Sequence, residues 1–284
     1  KTAALIGKDG SLDWLCWPRF DSGARFAALL GSPDNGRWSI VCTSPDARVT
    51  RCYRRDTLIL ETRFETATGV ATLTEFMPPR DKHSHVIRLV KAEQGSVSFK
   101  TELVIRFGYG EVVPWVTRTE HGGLRAIAGP DKLLLRSSVK LRGENFKTVG
   151  SFTVNEGETA SFVLTYGPSH LHDPPPVEPS RLLQQTKKFW RDWTACCNVT
   201  GPWTDTVKRS LITLKALTYA ETGGLVAAAT TSLPERLGGE RNWDYRFCWL
   251  RDATLTLLAF MNTGFHEEAR AWRGWLLRAA AGMP

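Results

Sequence analysis

The sequence has no run of about 18 apolar residues, so nothing in it reads as a membrane-spanning helix. It also lacks runs of like charge: 37 Lys and Arg are scattered among 29 Asp and Glu, and the net +8 forms no stripe. That scatter excludes neither solubility nor catalysis, but it argues against nucleic acid as a partner. Cysteine is sparse. Cys16, Cys42, Cys52, Cys196, Cys197 and Cys248 show no Cys-x-x-Cys spacing and lack the density of a disulfide scaffold, so they read as reduced structural thiols. The adjacent Cys196-Cys197 has no second pair and no nearby His, and reads as structural rather than metal-binding. The chain opens at Lys1-Thr2-Ala3 without Met, basic segment or apolar signal core, so it is expected to carry neither an export signal nor a natural start, and cytoplasmic is the expected location.

Other chemistry is missing too. There is no phosphate loop and no Gly-x-Ser-x-Gly elbow, and Gly108-Tyr109-Gly110 lacks the third glycine of a dinucleotide loop. His83/His85 and His170/His172 alternate as in strands but have no third ligand in view, so they are read as solvated loop histidines. No metal and no cofactor are expected.

At 284 residues the chain exceeds the usual single domain of roughly 100–200, and its 42% hydrophobic content suffices for a sizeable core. From Leu5 to Tyr166 short segments alternate apolar and polar residues: Leu58, Leu60, Thr62 and Phe64 share one face, and Phe162, Leu164 and Tyr166 another. Turn pairs at Asp9-Gly10, Asn35-Gly36, Thr68-Gly69, Gly122-Gly123 and Glu156-Gly157 suit an antiparallel sandwich. One early helix is expected over Ser22 to Leu30, with Asp21 as cap and Gly31 as stop. Five prolines between Gly167 and Ser180 mark a boundary.

Beyond it the period becomes helical. Leu182, Thr186, Phe189, Trp190 and Trp193 share a face, with Ser180 as cap; Trp203, Val207, Leu211, Leu214 and Leu217 follow, and helices are expected at Asp252 to Thr263 and Glu267 to Ala281. The division expected is residues 1–167, a Pro-rich linker 168–180, and a helical part 181–284. The helical part looks unfinished, since Trp190, Trp193, Trp203, Trp272 and Trp275 offer more apolar face than about four helices can bury.

The densest chemistry is Asn242-Trp243-Asp244-Tyr245-Arg246-Phe247-Cys248-Trp249-Leu250-Arg251-Asp252, where aromatic rings alternate with charged groups. A pyranose needs that mixture: its C–H faces stack on rings, and its hydroxyls both donate and accept. Arg251 would donate and Asp252 would accept. The same residues also fit a plainer reading, with Asp252 capping the next helix, Arg251 on the surface and the rings in a core. Composition alone leaves both open.

Thr230-Thr231-Ser232-Leu233-Pro234-Glu235, followed by the stretch from Arg241 to Ala253, resembles glycoside hydrolase family 15, which contains glucoamylases and bacterial trehalases. Gly7-Lys8-Asp9-Gly10-Ser11-Leu12-Asp13-Trp14-Leu15-Cys16-Trp17-Pro18-Arg19-Phe20-Asp21-Ser22 resembles the opening of its trehalase-like members. The resemblance implies an α+β multidomain fold, an N-terminal antiparallel β-sandwich followed by the first helices of an (α/α)6 barrel. It implies that Tyr245, Trp249, Arg251 and Asp252 line the subsite for a non-reducing glucose. Asp13, Trp14, Trp17 and Arg19 are read as a hairpin and interdomain contact instead.

The family hydrolyses with inversion, using two carboxyl groups about 6.5–9.5 Å apart. Both are expected beyond this chain, so none of Glu221, Glu235, Glu240, Glu267 and Glu268 is assigned to catalysis, and Glu267-Glu268 reads as a solvated first helical turn. The expected function is the N-terminal portion of an exo-acting α-glucoside hydrolase, inactive alone, with a small carbohydrate as partner. The alternative is a non-catalytic carbohydrate-binding protein.

Overall fold

Short alternating segments with turn residues between them must find partners in a sheet, and residues 4–168 do so. The computed structural model describes residues 1–120 and 122–282, and the chain divides into two compact units: Ala4–Trp17 with Gly23–Lys187, and Lys1–Ala3 with Pro18–Ser22 and Lys188–Pro284. The first unit contains β1 (Ala4–Ile6), β2 (Ser11–Cys16), β3 (Ala24–Phe26), β4 (Arg37–Cys42), β5 (Arg48–Tyr53), β6 (Leu60–Thr66) and β7 (Gly69–Phe76). It continues with β8 (Ser84–Val104), β9 (Trp115–Arg118), β10 (Leu124–Ala128), β11 (Asp131–Ser137), β12 (Arg142–Glu144), β13 (Lys147–Asn155) and β14 (Thr159–Pro168).

The 21-residue β8 organises this large antiparallel system. Its first half runs between β7 and β14, its second half between β4 and β13, so one strand serves two sheets. The change of partner comes at Gly95, whose φ of 59° and close approach to the Thr68 carbonyl leave no room for a Cβ. The sheets share one core. Leu12, Trp38, Ile40, Phe99 and Leu103 from one meet Phe64, Leu73, Leu133, Phe162 and Leu164 from the other. The alternation read at Leu60, Thr62 and Phe64 is the burial observed.

Inside this unit lies an ion pair that alternation does not foretell. Arg88 and Glu75 are register partners on β8 and β7, both fully buried, 2.6 Å apart. Arg88 also donates to the Trp38 and Gly10 carbonyls at 2.6 Å and lies over the Trp38 ring. Burial pushes the Glu75 carboxyl up, against the pull of the guanidinium.

Asn35-Gly36 is a turn, closing the 3-10 turn Pro33–Asn35 that Ser32 caps. Two expectations for this unit fail. The early helix is instead β3, with a single 3-10 turn over Ala28–Leu30, because Ala24, Arg25 and Phe26 are all buried and the strand pairs with β2. His85 is no solvated loop residue: it is buried in β8, with Nδ1 2.9 Å from Thr165 Oγ1. His170 and His172 are exposed, as read.

Burial, then the neighbouring His83, holds His85 down to about 4; Asp81 pulls the other way and Arg136 reinforces the fall. The folded pKa is below the unfolded value of about 6.5, so the unfolded chain binds the proton more readily. Stability is therefore full above pH 6.5 and falls as pH drops toward 4, by up to about 3 kcal/mol. Urea melts across this window are expected to show that loss in the wild type and not in His85→Gln; equal pH profiles would refute it.

The Pro-rich segment is pinned to the sheet beneath it. Arg125 and Lys132 pair with Asp173, Lys132 donates to the Leu171 carbonyl, and Arg136 to that of Pro174.

Four helices follow among the described residues: α1 (Pro179–Thr194), α2 (Thr204–Ala216), α3 (Leu250–Asn262) and α4 (His266–Ala281). α1 starts at Pro179, and the side chain of Glu178, not Ser180, accepts the free N–H of Ser180. Phe189 and Trp203 lie exposed rather than on an apolar seam. In the second unit Leu211, Phe260 and Phe265 form a small core on which Trp193 stacks, 4.1 Å from the Phe265 ring.

Glu268 corrects another reading. It is buried and accepts from Trp193 Nε1 at 2.6 Å and Lys215 Nζ at 2.9 Å, tying α4 to α1 and α2. Burial would raise its carboxyl, but those two donors outweigh it and hold it low. Leu250, Leu255, Leu258, Met261 and Leu277 stay exposed on α3 and α4. No helix among the described residues is long and apolar enough to cross a membrane.

Candidate functional site

The two halves of the motif, 230–235 and 241–252, are zipped together by the main chain. Thr231 bridges Asp244, Ser232 N–H donates to the Trp243 carbonyl, Ala228 to Tyr245, and Glu235 to Arg241. The loop that bears the rings is thereby held against the loop that bears Glu235.

Arg246 fixes it from below. It is buried and forks onto Asp244, Nε to Oδ1 at 2.9 Å and Nη2 to Oδ2 at 2.7 Å. Its Nη1 donates to the carbonyls of Ser22 at 3.1 Å and Phe20 at 3.4 Å, in the N-terminal motif. Burial alone would raise the Asp244 carboxyl, yet the hydrogen bonds from Arg246 hold it below the usual range. Trp249 Nε1 donates back to the Asp244 carbonyl at 3.4 Å, so the anchor reaches one of the candidate rings directly.

Tyr245, Trp249, Arg251 and Asp252 are brought together above this anchor. The Tyr245 and Trp249 rings are 5.6 Å apart, the Arg251 guanidinium is 6.0 Å from the Trp249 centroid, and Arg251 Nη2 is 3.1 Å from Asp252 Oδ2. Trp249, not Asp252, is the cap of α3, and it makes no side-chain cap bond. Asp252 stands in the first turn, where the helix dipole favours a carboxylate. Its side chain and that of Arg251 are 37% and 70% exposed, so both can reach a ligand.

Tyr245 OH donates to Glu235 Oε1 at 3.2 Å. Loss of solvent around the phenol, then the Glu235 carboxylate, pushes its pKa up, keeping it a donor. Glu235, Asp244 and Arg246 belong to the site's support and were not singled out by sequence. All three lie inside the quoted motifs, which was the available signal.

Trp14 and Trp17 are buried, Asp13 accepts from Ser11 Oγ, and Arg19 pairs with Asp21. Asp13 and Trp14 sit on β2, paired with β1 in the expected hairpin. The six cysteines are free, and the described residues hold no cluster of three or more metal-binding side chains.

Residues 1–190 match the model of the trehalase-like N-terminal family, and residues 201–284 match that of glycosyl hydrolases family 15. Over residues 1–190 the chain belongs to the trehalase-like N-terminal family, and its residues 201–284 are similar to glycosyl hydrolases family 15. Two relatives named trehalase are each 31% identical: one from Thermoplasma volcanium, over 95% of this chain and 44% of its own length, and one from Mycobacterium tuberculosis, over 95% and 43%. The chain thus spans under half the length of these relatives. Its fold is similar to that of a bacterial glucoamylase complexed with acarbose, with a TM-score of 0.64 and 13% identity over 93% of this chain and 46% of that one.

Proposed function

We propose that this chain is the N-terminal portion of an inverting, exo-acting α-glucoside hydrolase that releases glucose from non-reducing ends of trehalose or malto-oligosaccharides. The observation that carries the reading is the assembly of Tyr245, Trp249, Arg251 and Asp252 in one exposed cluster. Trp249 offers a face to the sugar ring, and Arg251 and Asp252 offer a donor beside an acceptor to neighbouring hydroxyls. Such a clamp on the terminal glucose accounts for exo action.

In this reading residues 181–284 begin an (α/α)6 barrel, after a sandwich over 1–167 and the Pro-rich 168–180. The exposed leucines and Met261 on α3 and α4 support further helices packing there. The acid and base, about 6.5–9.5 Å apart, would come with them. The partner is a carbohydrate, and a cytoplasmic location goes with the free thiols.

Glucose release from trehalose and maltotriose is the test, using this chain and a version extended to a complete barrel, each with and without Asp252→Ala. The extended chain is expected to cut, and Asp252→Ala to lower kcat/KM about 10- to 100-fold, the worth of a charged hydrogen bond. A variant within twofold of wild type removes the subsite role. Cutting by the 284-residue chain alone would place the catalytic pair among its own acids.

A further inference from the structure

The edge strand β9 and the β12–β13 hairpin, both in the first unit, present aromatic residues that folding does not explain. Glu144 and Lys147 are register partners, which leaves Asn145 and Phe146 as a two-residue loop with φ of 49° and 58°. At the second position of such a turn glycine is strongly preferred, because a Cβ crowds the backbone there. Phe146 occupies it, 83% exposed, while buried Arg106 donates to its carbonyl at 3.2 Å. A strained backbone that carries an exposed ring calls for a use outside the core.

Trp115 opens β9 at 77% exposure and lines, with Phe146, one cavity of about 400 Å³ backed by Leu103 and Ile105. That volume lies in the range of small-molecule sites. The charges at its rim are already satisfied: Lys147 lies 3.6 Å from Asp34 and 3.7 Å from Glu102, and Glu144 lies 3.0 Å from Arg142. Paired rim charges favour a neutral occupant over an ionic one. Asn145, exposed beside Phe146 in the turn and lining the same cavity, adds amide donors and an acceptor. Apolar faces for stacking, an amide at the edge and no spare charge together describe a sugar chain.

We propose that this cavity is a second sugar site, on which a chain of α-linked glucose units stacks across Trp115 and Phe146. It shares no residue with the 242–252 cluster. The choice of α-linked glucose rests on the function proposed above; the platform itself does not.

The test is calorimetric titration with maltoheptaose, and electrophoresis through soluble starch, of the 284-residue chain, Trp115→Ala, Phe146→Gly and Asp252→Ala. Binding is expected to weaken about tenfold in each of the first two variants, the scale of one lost aromatic anchor, and to survive in Asp252→Ala. Phe146→Gly is also expected to raise Tm by a few degrees, because glycine relieves the turn, so its lost binding cannot come from lost fold. Absent binding, or equal binding in wild type, Trp115→Ala and Phe146→Gly, overturns the proposal. Loss confined to Asp252→Ala overturns it too, while leaving the function above intact. A concentration-dependent dimer that both aromatic variants abolish, with sugar binding unchanged, assigns the patch to a second copy instead.

Discussion

Replacing Arg88 by Met is expected to destabilise the β-rich unit by about 3–5 kcal/mol, because Glu75 would be left buried without its cation. The side chain is close in volume, so lost packing is a minor part of the effect. Two main-chain acceptors also lose a charged donor: the Trp38 carbonyl on β4, and the Gly10 carbonyl in the turn before β2. The companion Glu75→Leu should rescue most of that loss in the double variant, since removing both charges leaves no uncompensated ion. Urea unfolding followed by Trp fluorescence measures all three. A single Arg88→Met that costs under 1 kcal/mol would show that the pair is not the buried liability its geometry implies.

Arg246→Ala is expected to cost about 3 kcal/mol and, separately, to weaken sugar binding. Asp244 loses both arms of a bidentate partner, and the carbonyls of Ser22 and Phe20 lose a charged donor. The second effect passes through Trp249, whose indole N–H rests on the Asp244 carbonyl. Arg246→Lys keeps the charge but not the fork, so it should recover only part of the stability. Calorimetric binding of maltotriose beside thermal melts separates the two effects. A variant that melts early yet binds as wild type makes Arg246 structural only, and one that melts as wild type removes the anchor.

The candidate subsite was legible because its residues are contiguous. Tyr245, Trp249, Arg251 and Asp252 lie within eight positions, and the turn into α3 gathers them. Their support was not, because Arg246 finds its carbonyl partners 224 and 226 residues earlier. The same division runs through the fold. Alternation located strands such as β6, where neighbours in sequence decide the pattern. The segment Ser22 to Leu30 has the punctuation of a helix, yet long-range burial of Ala24, Arg25 and Phe26 makes it a strand. Glu268 follows helix-start composition but is claimed by Trp193 and Lys215 from two other helices. Charge partners fixed by register, such as Glu75 and Arg88, cannot be paired until β7 and β8 are aligned.

The strand shared by two sheets also sets an order of events during synthesis. β4 and β7 precede β8 along the chain and can pair with it as it emerges, but β13 and β14, which cover its other edge, are made last. Until β13 is complete at residue 155, β8 keeps one side of its backbone unpaired along its whole length, and its first half stays open until β14 ends at residue 168. Such an edge invites pairing with another nascent chain. The stretch between β8 and β14 is therefore the interval of synthesis in which this strand's open edge is most exposed to wrong partners.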